Sequence, residues 1–339
     1  MTTTLLEQRY RTALRLLPSY YRTEREEEMV ATYLHGIDEQ AQDEMHPALG
    51  EVASIAALAI RTRMGAAGAP ARYATLGAMV RLFALLSVLL HAASALTERA
   101  LFLTWFGGAP AVDRELSLDG FTGHGALAGL YEAALWLLPL AWTVVYLALL
   151  RDRRRTAFVF AVLAALPDLA SALQHAGDGW DTVTISLSLA TAVFSWLTVL
   201  ALCCGFHCDA PRALLPLASP GLVLVGTCVL MGASMVVWPG AAVTGWADGS
   251  AFIAAAAVWL IVRRRSPEHV ADPALPLTLA TLGLAVLVER TLTLAFAVQA
   301  HAPGSLIAAT TVQVGIIALL TVALTTTGTR SLTARFRTG

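Results

Sequence analysis

The sequence contains no lysine and no asparagine, and it has few charged residues of any kind. All 23 basic residues are arginine, and charged residues make up 14% of the chain against 57% hydrophobic ones. Soluble domains carry roughly 25% charged residues, so this chain has too little charge to cover its apolar surface in water. The mean hydropathy of +0.65 therefore indicates that much of the surface faces lipid. Both missing residue types use A-rich codons, so their absence is typical of a high-GC bacterial genome.

Sequence motifs of several catalytic classes are also missing. The chain has no P-loop glycine–lysine motif, no His-Glu-x-x-His, no Gly-x-Ser-x-Gly elbow and no paired Asp-rich prenyl-diphosphate motif. Three of the four cysteines lie together at the end of one apolar run and the fourth lies inside another, so no disulfide framework is implied. The net charge of −1 argues neither for nor against nucleic acid. The placement of the charges is therefore more informative than their sum.

Eight apolar runs follow residue 72, and most are close to the length of about 20 residues that a membrane-spanning helix needs. The runs occupy residues 77–104, 124–150, 156–175, 182–205, 219–238, 247–262, 275–300 and 305–327. The sixth run is the shortest. We therefore expect an all-α protein, a polytopic membrane bundle of about eight transmembrane helices.

The arginines predict how this bundle is oriented. With the N-terminus inside, the inner loops 151–155, 206–218 and 263–274 and the C-terminal tail hold eleven arginines. The outer loops hold one basic residue, Arg114, together with several acidic residues that include Asp248. We expect a multi-pass protein of the bacterial cytoplasmic membrane with both termini in the cytoplasm. The clusters Arg151–Arg155 and Arg263–Arg265 are better explained by binding to anionic lipid than by binding to nucleic acid.

Residues 1–72 differ from the rest, with ten acidic residues and eight arginines. Apolar residues at helical spacing predict three short amphipathic helices, the first ending at Pro18, the second starting near Ser19 and the third opening at His46-Pro47. Charged residues from Glu7 to Arg15 interrupt the apolar core of a signal peptide, so we expect no cleaved signal. The predicted boundaries are a cytoplasmic helical domain over 1–64, a linker over 65–72, the bundle over 73–328 and a cytoplasmic tail over 329–339.

Part of this N-terminal segment is similar to a known kind of domain. The residues that carry the likeness are Tyr10-Arg11, Leu14–Pro18, Tyr21-Arg22, Glu27–Met29, Glu51-Val52 and Leu58–Arg63. They resemble the helical N-terminal domain of many actinobacterial multi-pass membrane proteins, of the HAAS-type and permease-associated kind. The resemblance covers about the first 65 residues, implies a docking or regulatory role for them, and carries over no catalytic residue.

Six ionisable side chains fall well inside the predicted spans, where charge is expensive and marks either function or internal pairing. They are Glu98, Arg99, Glu132, Asp168, Glu289 and Arg290. The two Glu-Arg pairs occupy similar hexapeptides in the first and seventh spans, which indicates either a parallel internal repeat or the chance likeness of two Leu/Ala-rich helices. If these spans are neighbours, Glu98 can pair with Arg290 and Glu289 with Arg99, either as a structural clasp or as a substrate or proton site. Glu132 and Asp168 have no adjacent base and are candidates for an open polar cavity.

A few residues have the chemistry of metal ligands. Cys204, His207 and Cys208 are spaced three and four residues apart at the end of the fourth span, but no fourth ligand is visible. The alternative is that they are small cysteines tolerated in a membrane helix. His124, His175 and His301 fall at predicted outer helix ends and His91 lies deeper, which leaves an outer metal site or haem ligation as an alternative to ordinary interfacial histidines. We expect no cofactor.

The first functional interpretation is a non-enzymatic membrane protein of transport or signalling type. In it, the six ionisable residues form a polar core in the bundle, and the N-terminal helices dock a cytoplasmic protein or regulate the bundle. Two alternatives remain open at this point. One is a membrane-embedded redox or metal-binding enzyme, and the other is a structural or assembly subunit of a membrane complex, in which the charges only clasp helices together.

Overall fold

The computed structural model describes residues 4–35, 46–65, 68–122, 125–207, 219–237, 245–265 and 272–338. Within these ranges the chain forms helices and no strands. It divides into two compact units, one built mainly from the residues up to Val80 and the other mainly from Arg81 onward. The all-α fold class predicted from the sequence is confirmed for this part of the chain.

Three short helices begin the first unit: α1 (Leu5–Leu14), α2 (Ser19–Leu34) and α3 (Leu49–Arg63). The Thr4 side chain caps α1 by accepting a hydrogen bond from the backbone N–H of Glu7 at 3.4 Å. Pro18 stands immediately before α2, where its missing N–H removes no helical hydrogen bond. One apolar cluster includes residues of all three helices and consists of Tyr10, Leu14, Leu17, Val30, Ile55 and Ala59. The helical spacing of apolar residues in the sequence therefore corresponds to one shared core.

Arg11 connects α1 to α2 at the edge of this core. Its guanidinium group contacts the carboxylates of Glu7 at 3.0 Å, Glu26 at 3.4 Å and Glu27 at 2.8 Å. The hydrogen bond from Arg11 holds the pKa of Glu27 below its usual range. The same carboxylates raise the pKa of Arg11 itself. The contact fixes one side of α2 against α1.

Tyr33 connects α2 to both of its partners. Its ring stacks on that of Tyr10, with ring centroids 4.0 Å apart and planes 5° from parallel. Burial raises the pKa of Tyr33 to about 12, and a hydrogen bond to the carboxylate of Glu51 in α3 acts in the same direction. The tyrosine pair therefore places a polar contact and an apolar stack at the junction of the three helices.

The remaining helices follow in chain order and are α4 (Ala71–Gly108), α5 (Ala111–Thr122), α6 (Ala126–Leu137), α7 (Ala141–Leu150), α8 (Arg154–Gly177), α9 (Thr182–Gly205), α10 (Pro220–Val237), α11 (Trp246–Arg265), α12 (Ala274–Gln299) and α13 (Gly304–Thr338). A 3-10 turn, Leu138–Leu140, joins α6 to α7. In the part of the chain that the structure describes, eight segments are long and apolar enough to cross a membrane, when α6, the turn and α7 are counted as one. Each corresponds to one of the eight predicted runs. The expectation of a multi-pass membrane protein is confirmed to this extent.

The structure differs from the sequence-based boundaries at three places. The loop after the first span contains α5, a helix that hydropathy alone does not reveal because it carries Asp113, Glu115 and Asp119. The sixth span is longer than its apolar run, because α11 continues through Arg263–Arg265. The predicted tail over 329–339 is a continuation of α13 as far as Thr338, since no proline follows Gly328 to end the helix.

The core of the second unit lies where α4 and α9 to α13 meet. Buried residues of these helices form one apolar cluster that includes Ala93, Phe194, Met231, Phe252 and Ile317. The helices α4 and α10 approach each other closely at one point, where the Thr97 hydroxyl donates to the backbone oxygen of Cys228 at 3.4 Å. Small residues permit such close approach of helices in a lipid environment, where the hydrophobic effect does not drive helix association.

Gly283 of α12 is expected to tolerate no side chain. A Cβ at this position would lie 2.5 Å from Cζ of Phe252 in α11 and 2.5 Å from Oγ1 of Thr321 in α13, and both of these side chains are buried. Gly283→Ala should therefore destabilise the bundle by about 1–3 kcal/mol, the usual cost of overpacking a core. A thermal stability measurement on the purified protein checks this. Gly315→Ala is the matched control, since no atom lies within 4 Å of its added Cβ, and equal melting temperatures for the two variants would contradict the prediction.

Candidate functional site

A cavity of about 190 Å³ lies inside the second unit. Four carboxylates from four different helices line it: Glu98 of α4, Asp168 of α8, Asp248 of α11 and Glu289 of α12. Arg99 lines it as well. Ionisable groups at this position are costly unless they are paired, hydrated or used, so their convergence on one cavity marks a candidate site.

Three of the carboxylates lie at matching positions in their helices. Glu98 and Glu289 each stand ten residues before the last residue of α4 and of α12, and Asp168 stands nine residues before the end of α8. At 1.5 Å per residue, each lies about 14–15 Å from the end of its helix. The hydrocarbon core of a bilayer is about 30 Å thick, so a carboxylate at this distance from the end of a spanning helix is costly to solvate along the helix surface. The cavity offers these groups a shared polar space instead.

The fourth carboxylate lies at the start of α11. Asp248 lies in the first turn of this helix, which begins at Trp246. The N-terminus of a helix carries a partial positive charge that favours a carboxylate in its first turn. The start of α11 therefore supplies both the position of Asp248 and part of the field that stabilises its charge.

Hydroxyl residues of neighbouring helices lie beside three of the carboxylates. The buried Ser195 hydroxyl of α9 donates to Asp168. Thr191, one turn earlier on α9, lies beside Glu289, while its hydroxyl donates to the backbone oxygen of Leu187 at 3.2 Å. Ser94 of α4 hydrogen-bonds Asp248. Each of these acids thus has a hydroxyl residue of a different helix beside it, and the Ser195 hydroxyl donates directly to Asp168.

Glu98 and Arg99 form an ion pair within α4. Arg99 Nη1 lies 2.7 Å from Oε2 of Glu98, and Arg99 Nε donates to the backbone oxygen of Trp136 in α6 at 3.1 Å. The pairing expected from the sequence, Arg99 with Glu289 and Glu98 with Arg290, differs from this arrangement. The reason is that Arg99 extends toward the backbone of α6, while Glu289 lies beside Thr191 of α9.

Arg290 lies on the other side of the acidic cluster and is fully enclosed. Its side chain is 1% exposed, and its guanidinium carbon stands 5.8 Å from the ring centroid of Trp246. A Cβ placed on Gly245 would lie 3.9 Å from Nη1 of Arg290 and 4.0 Å from Oδ2 of Asp248. The arginine and this aspartate therefore flank the same point at the start of α11, and their opposite charges attract.

His91 forms an aromatic wall of the cavity. Its ring stacks on that of Trp142 in α7 with centroids 4.8 Å apart, and the centroid of the Phe194 ring in α9 lies 4.7 Å from it. Thr198 Oγ1 lies 3.4 Å from its Nε2. The histidine thus lies between two aromatic rings and a hydroxyl.

A second, larger cavity adjoins the first. It has a volume of about 990 Å³ and shares Glu98 and Arg99 with the acidic cavity. The rest of its lining is mostly apolar or aromatic and includes Phe102, Trp105 and Trp136. We call the first space the acidic cavity and the second the aromatic cavity.

The structure brings most, though not all, of the candidate residues together. Glu98, Arg99, Asp168 and Glu289 line the acidic cavity, and Arg290 lies next to it. Glu132 does not join them, because its part of α6 faces away from the bundle: its side chain is exposed, as are those of Leu127 and Leu130 on the same helix.

The structure does not bring the candidate metal ligands together in the residues that it describes. Cys208 and His124 lie outside the described residues, and Cys204 and His207 lie at the end of α9 and just after it. His175 packs against Trp180, with ring centroids 5.1 Å apart. Among the residues that the structure describes, no three His, Cys, Asp or Glu side chains are arranged to hold a metal ion.

Asp248 lines the acidic cavity, although its sequence position predicts an outer loop. The available sign was its position inside the apolar run 247–262. Ser195 and Thr191 carried no sign of their role, because hydroxyl residues are common in membrane helices and bond to their own backbone.

The comparisons with known proteins do not assign this arrangement to a family. No protein-family model, curated protein or solved structure matches the chain. The function is therefore inferred from the geometry of the site.

Proposed function

We propose that this chain is a non-enzymatic integral membrane protein of transport type, in which the acidic cavity binds a small cation or protons during their passage. The observation that carries the proposal is the convergence of Glu98, Asp168, Asp248 and Glu289 on one cavity within the apolar spans. Isolated intramembrane carboxylates mark ion pathways and proton relays in transport proteins.

The balance of charge in the site favours a cationic ligand. Four carboxylates face two arginines, Arg99 in the cavity and Arg290 beside it. Like charges at short range disfavour simultaneous ionisation, so a proton or another cation is needed to neutralise the excess. A bound cation and protons at these acids therefore compete for the same groups.

The alternative in which the charges only clasp helices receives less support. The ion pair of Glu98 with Arg99 joins two neighbouring residues of the same helix, and it reaches another span through the hydrogen bond from Arg99 to the backbone oxygen of Trp136, not through a second charge. The carboxylates of Asp168, Asp248 and Glu289 line open space. A clasp needs neither an open cavity nor four acids.

Orientation and partners are part of the same proposal. The excess of arginines in alternate loops supports cytoplasmic termini and a bacterial cytoplasmic membrane. The last turn of α11 carries Arg263–Arg265, and the turn before α8 carries Arg151 and Arg153, where anionic lipid headgroups would bind. The helices within residues 1–64 would then dock a cytoplasmic protein or regulate the bundle, as their resemblance to HAAS-type domains implies.

Flux measurements in proteoliposomes test the proposal. Vesicles with a trapped pH-sensitive dye are given an outward gradient of sodium, choline or tetramethylammonium, and internal pH is followed with and without an imposed membrane potential. We expect the protein to accelerate the pH change for at least one cation or under the potential alone. Asp168→Asn and Glu289→Gln should each reduce that rate at least tenfold.

Glu132→Gln is the matched control. It neutralises a carboxylate in a span of the same protein, but one that is exposed on α6 and apart from the cavity. Its rate should equal that of the unmodified protein. Rates no higher than in empty vesicles under every condition, or equal rates in all three variants, would refute the transport proposal.

A further inference from the structure

The two adjoining cavities differ in size and in chemistry. The acidic cavity, at about 190 Å³, has the volume of roughly six water molecules. The aromatic cavity, at about 990 Å³, is about five times larger. The acidic cavity accommodates a compact charged group, whereas the aromatic cavity has room for a long or bulky apolar group.

The lining of the aromatic cavity suits an apolar group. Phe102 lies 5.9 Å from Trp105 and 6.1 Å from Trp136 between ring centroids, so three aromatic rings form one surface. Met235 and Val236 of α10 line the same space. Aromatic and aliphatic walls of this kind bind the apolar part of a ligand through burial of its surface.

Glu98 and Arg99 stand between the two spaces. The Glu98 side chain is 52% exposed and that of Arg99 is 16% exposed, so the carboxylate is the more accessible member of the pair. Both residues line both cavities. A cationic group that enters from the aromatic cavity therefore meets Glu98 first and competes with Arg99 for it.

The aromatic cavity also reaches the outer surface of the bundle. Trp105 and Val236 line it and are themselves exposed. In a bilayer this surface faces lipid, because it lies on apolar spans. A ligand dissolved in the membrane has access to the site from the side.

We infer that the acidic and aromatic cavities form one bipartite site for an amphiphilic organic cation. The cationic head binds among Glu98, Asp168, Asp248 and Glu289, and the apolar tail lies against Phe102, Trp105 and Trp136. This inference rests on the proposed function and names its substrate class. Protons or small inorganic cations alone would need the acidic cavity and not the aromatic one.

Calorimetric titration of the full-length protein, kept soluble in amphipol so that no detergent competes, tests the inference. The probes are tetramethylammonium, decyltrimethylammonium and the neutral decyl glucoside. We expect decyltrimethylammonium to bind at least 100-fold more tightly than tetramethylammonium, since each buried methylene adds roughly threefold to fourfold. Decyl glucoside should bind at least tenfold more weakly than the ammonium compound of the same chain length.

Single substitutions assign each half of the ligand to its cavity. Trp105→Ala should weaken decyltrimethylammonium about tenfold and leave tetramethylammonium unchanged. Trp180→Ala is the control, because Trp180 is exposed to the same degree, 53% against 49% for Trp105, and lines neither cavity. Asp168→Asn should weaken both ammonium compounds.

The outcomes separate this inference from the transport proposal. Equal affinity for the two ammonium compounds, with loss in Asp168→Asn, overturns the bipartite site and supports cation binding. Binding of decyl glucoside as tight as that of decyltrimethylammonium shows an apolar surface without recognition of charge, and also overturns it. If no ammonium compound binds while Asp168-dependent proton flux persists in vesicles, the bipartite site fails and the transport proposal stands.

Discussion

Replacing Arg290 with methionine is expected to destabilise the protein by about 3–5 kcal/mol, the typical cost of removing one member of a buried charge pair. Arg290 is almost fully buried and lies near Asp248 and Glu289, whose negative charges it offsets. Without it, two carboxylates face each other in a low-dielectric space with no opposite charge beside them. The protein is solubilised, heated and analysed by size-exclusion chromatography. The variant should give much less monodisperse protein than the unmodified chain.

A double variant distinguishes charge from shape at this position. Arg290→Met combined with Asp248→Asn removes both opposite charges, and similar replacements of buried pairs are often neutral in stability. We therefore expect the double variant to recover most of the stability that the single variant loses. Arg114→Met, which removes an exposed arginine of α5, is the control and should have no effect. Unchanged stability in Arg290→Met would show that the arginine does not neutralise the acidic cluster.

The second large effect is expected in the core of the first unit. Leu14 is completely buried in a cluster of only six core residues, so Leu14→Ala removes a sizeable part of that core. Leucine-to-alanine substitutions at such sites cost about 2–5 kcal/mol. A small core leaves little stability in reserve, and the three helices should unfold locally in the variant.

Limited proteolysis with an arginine-specific protease measures this unfolding. The first unit contains many arginines, among them Arg9, Arg11 and Arg15, which become accessible when α1 opens. Cleavage before Val80 should be at least tenfold faster in Leu14→Ala than in the unmodified protein. Leu49→Ala makes the same chemical change at a side chain that is 88% exposed and should cleave at the original rate. Similar rates for the two variants would mean that Leu14 does not hold this core together.

The candidate site shows how far intramembrane charge can be interpreted from sequence. Glu98 and Glu289 were recognised because an acid is rare within an apolar run, and both line the acidic cavity. Glu132 satisfied the same criterion and lies elsewhere, since a run that is apolar on every side does not show which face of the helix is turned inward. The sequence does not contain the rotation of each helix about its own axis.

The ion pairs show a second limit of sequence. Two similar Glu-Arg dipeptides suggested pairing between the first and seventh spans, yet Arg99 binds its neighbour Glu98 and Arg290 lies beside Asp248. The partner of an arginine depends on which long side chain reaches which carboxylate across the gap between helices. Local sequence contains the charges and not these distances.

Composition and hydropathy were sufficient to predict an all-α membrane protein and the eight long apolar helices of the described chain. The reason is that a bilayer imposes a fixed length on every span and penalises each unsatisfied backbone group, so one sequence leaves few alternatives. The acidic cavity and its aromatic neighbour depend instead on the rotation, depth and order of packing of separate helices. Those quantities arise from contacts such as Ser195 with Asp168 and Gly283 with Phe252, between residues far apart in the chain, and they exist only once the bundle has assembled.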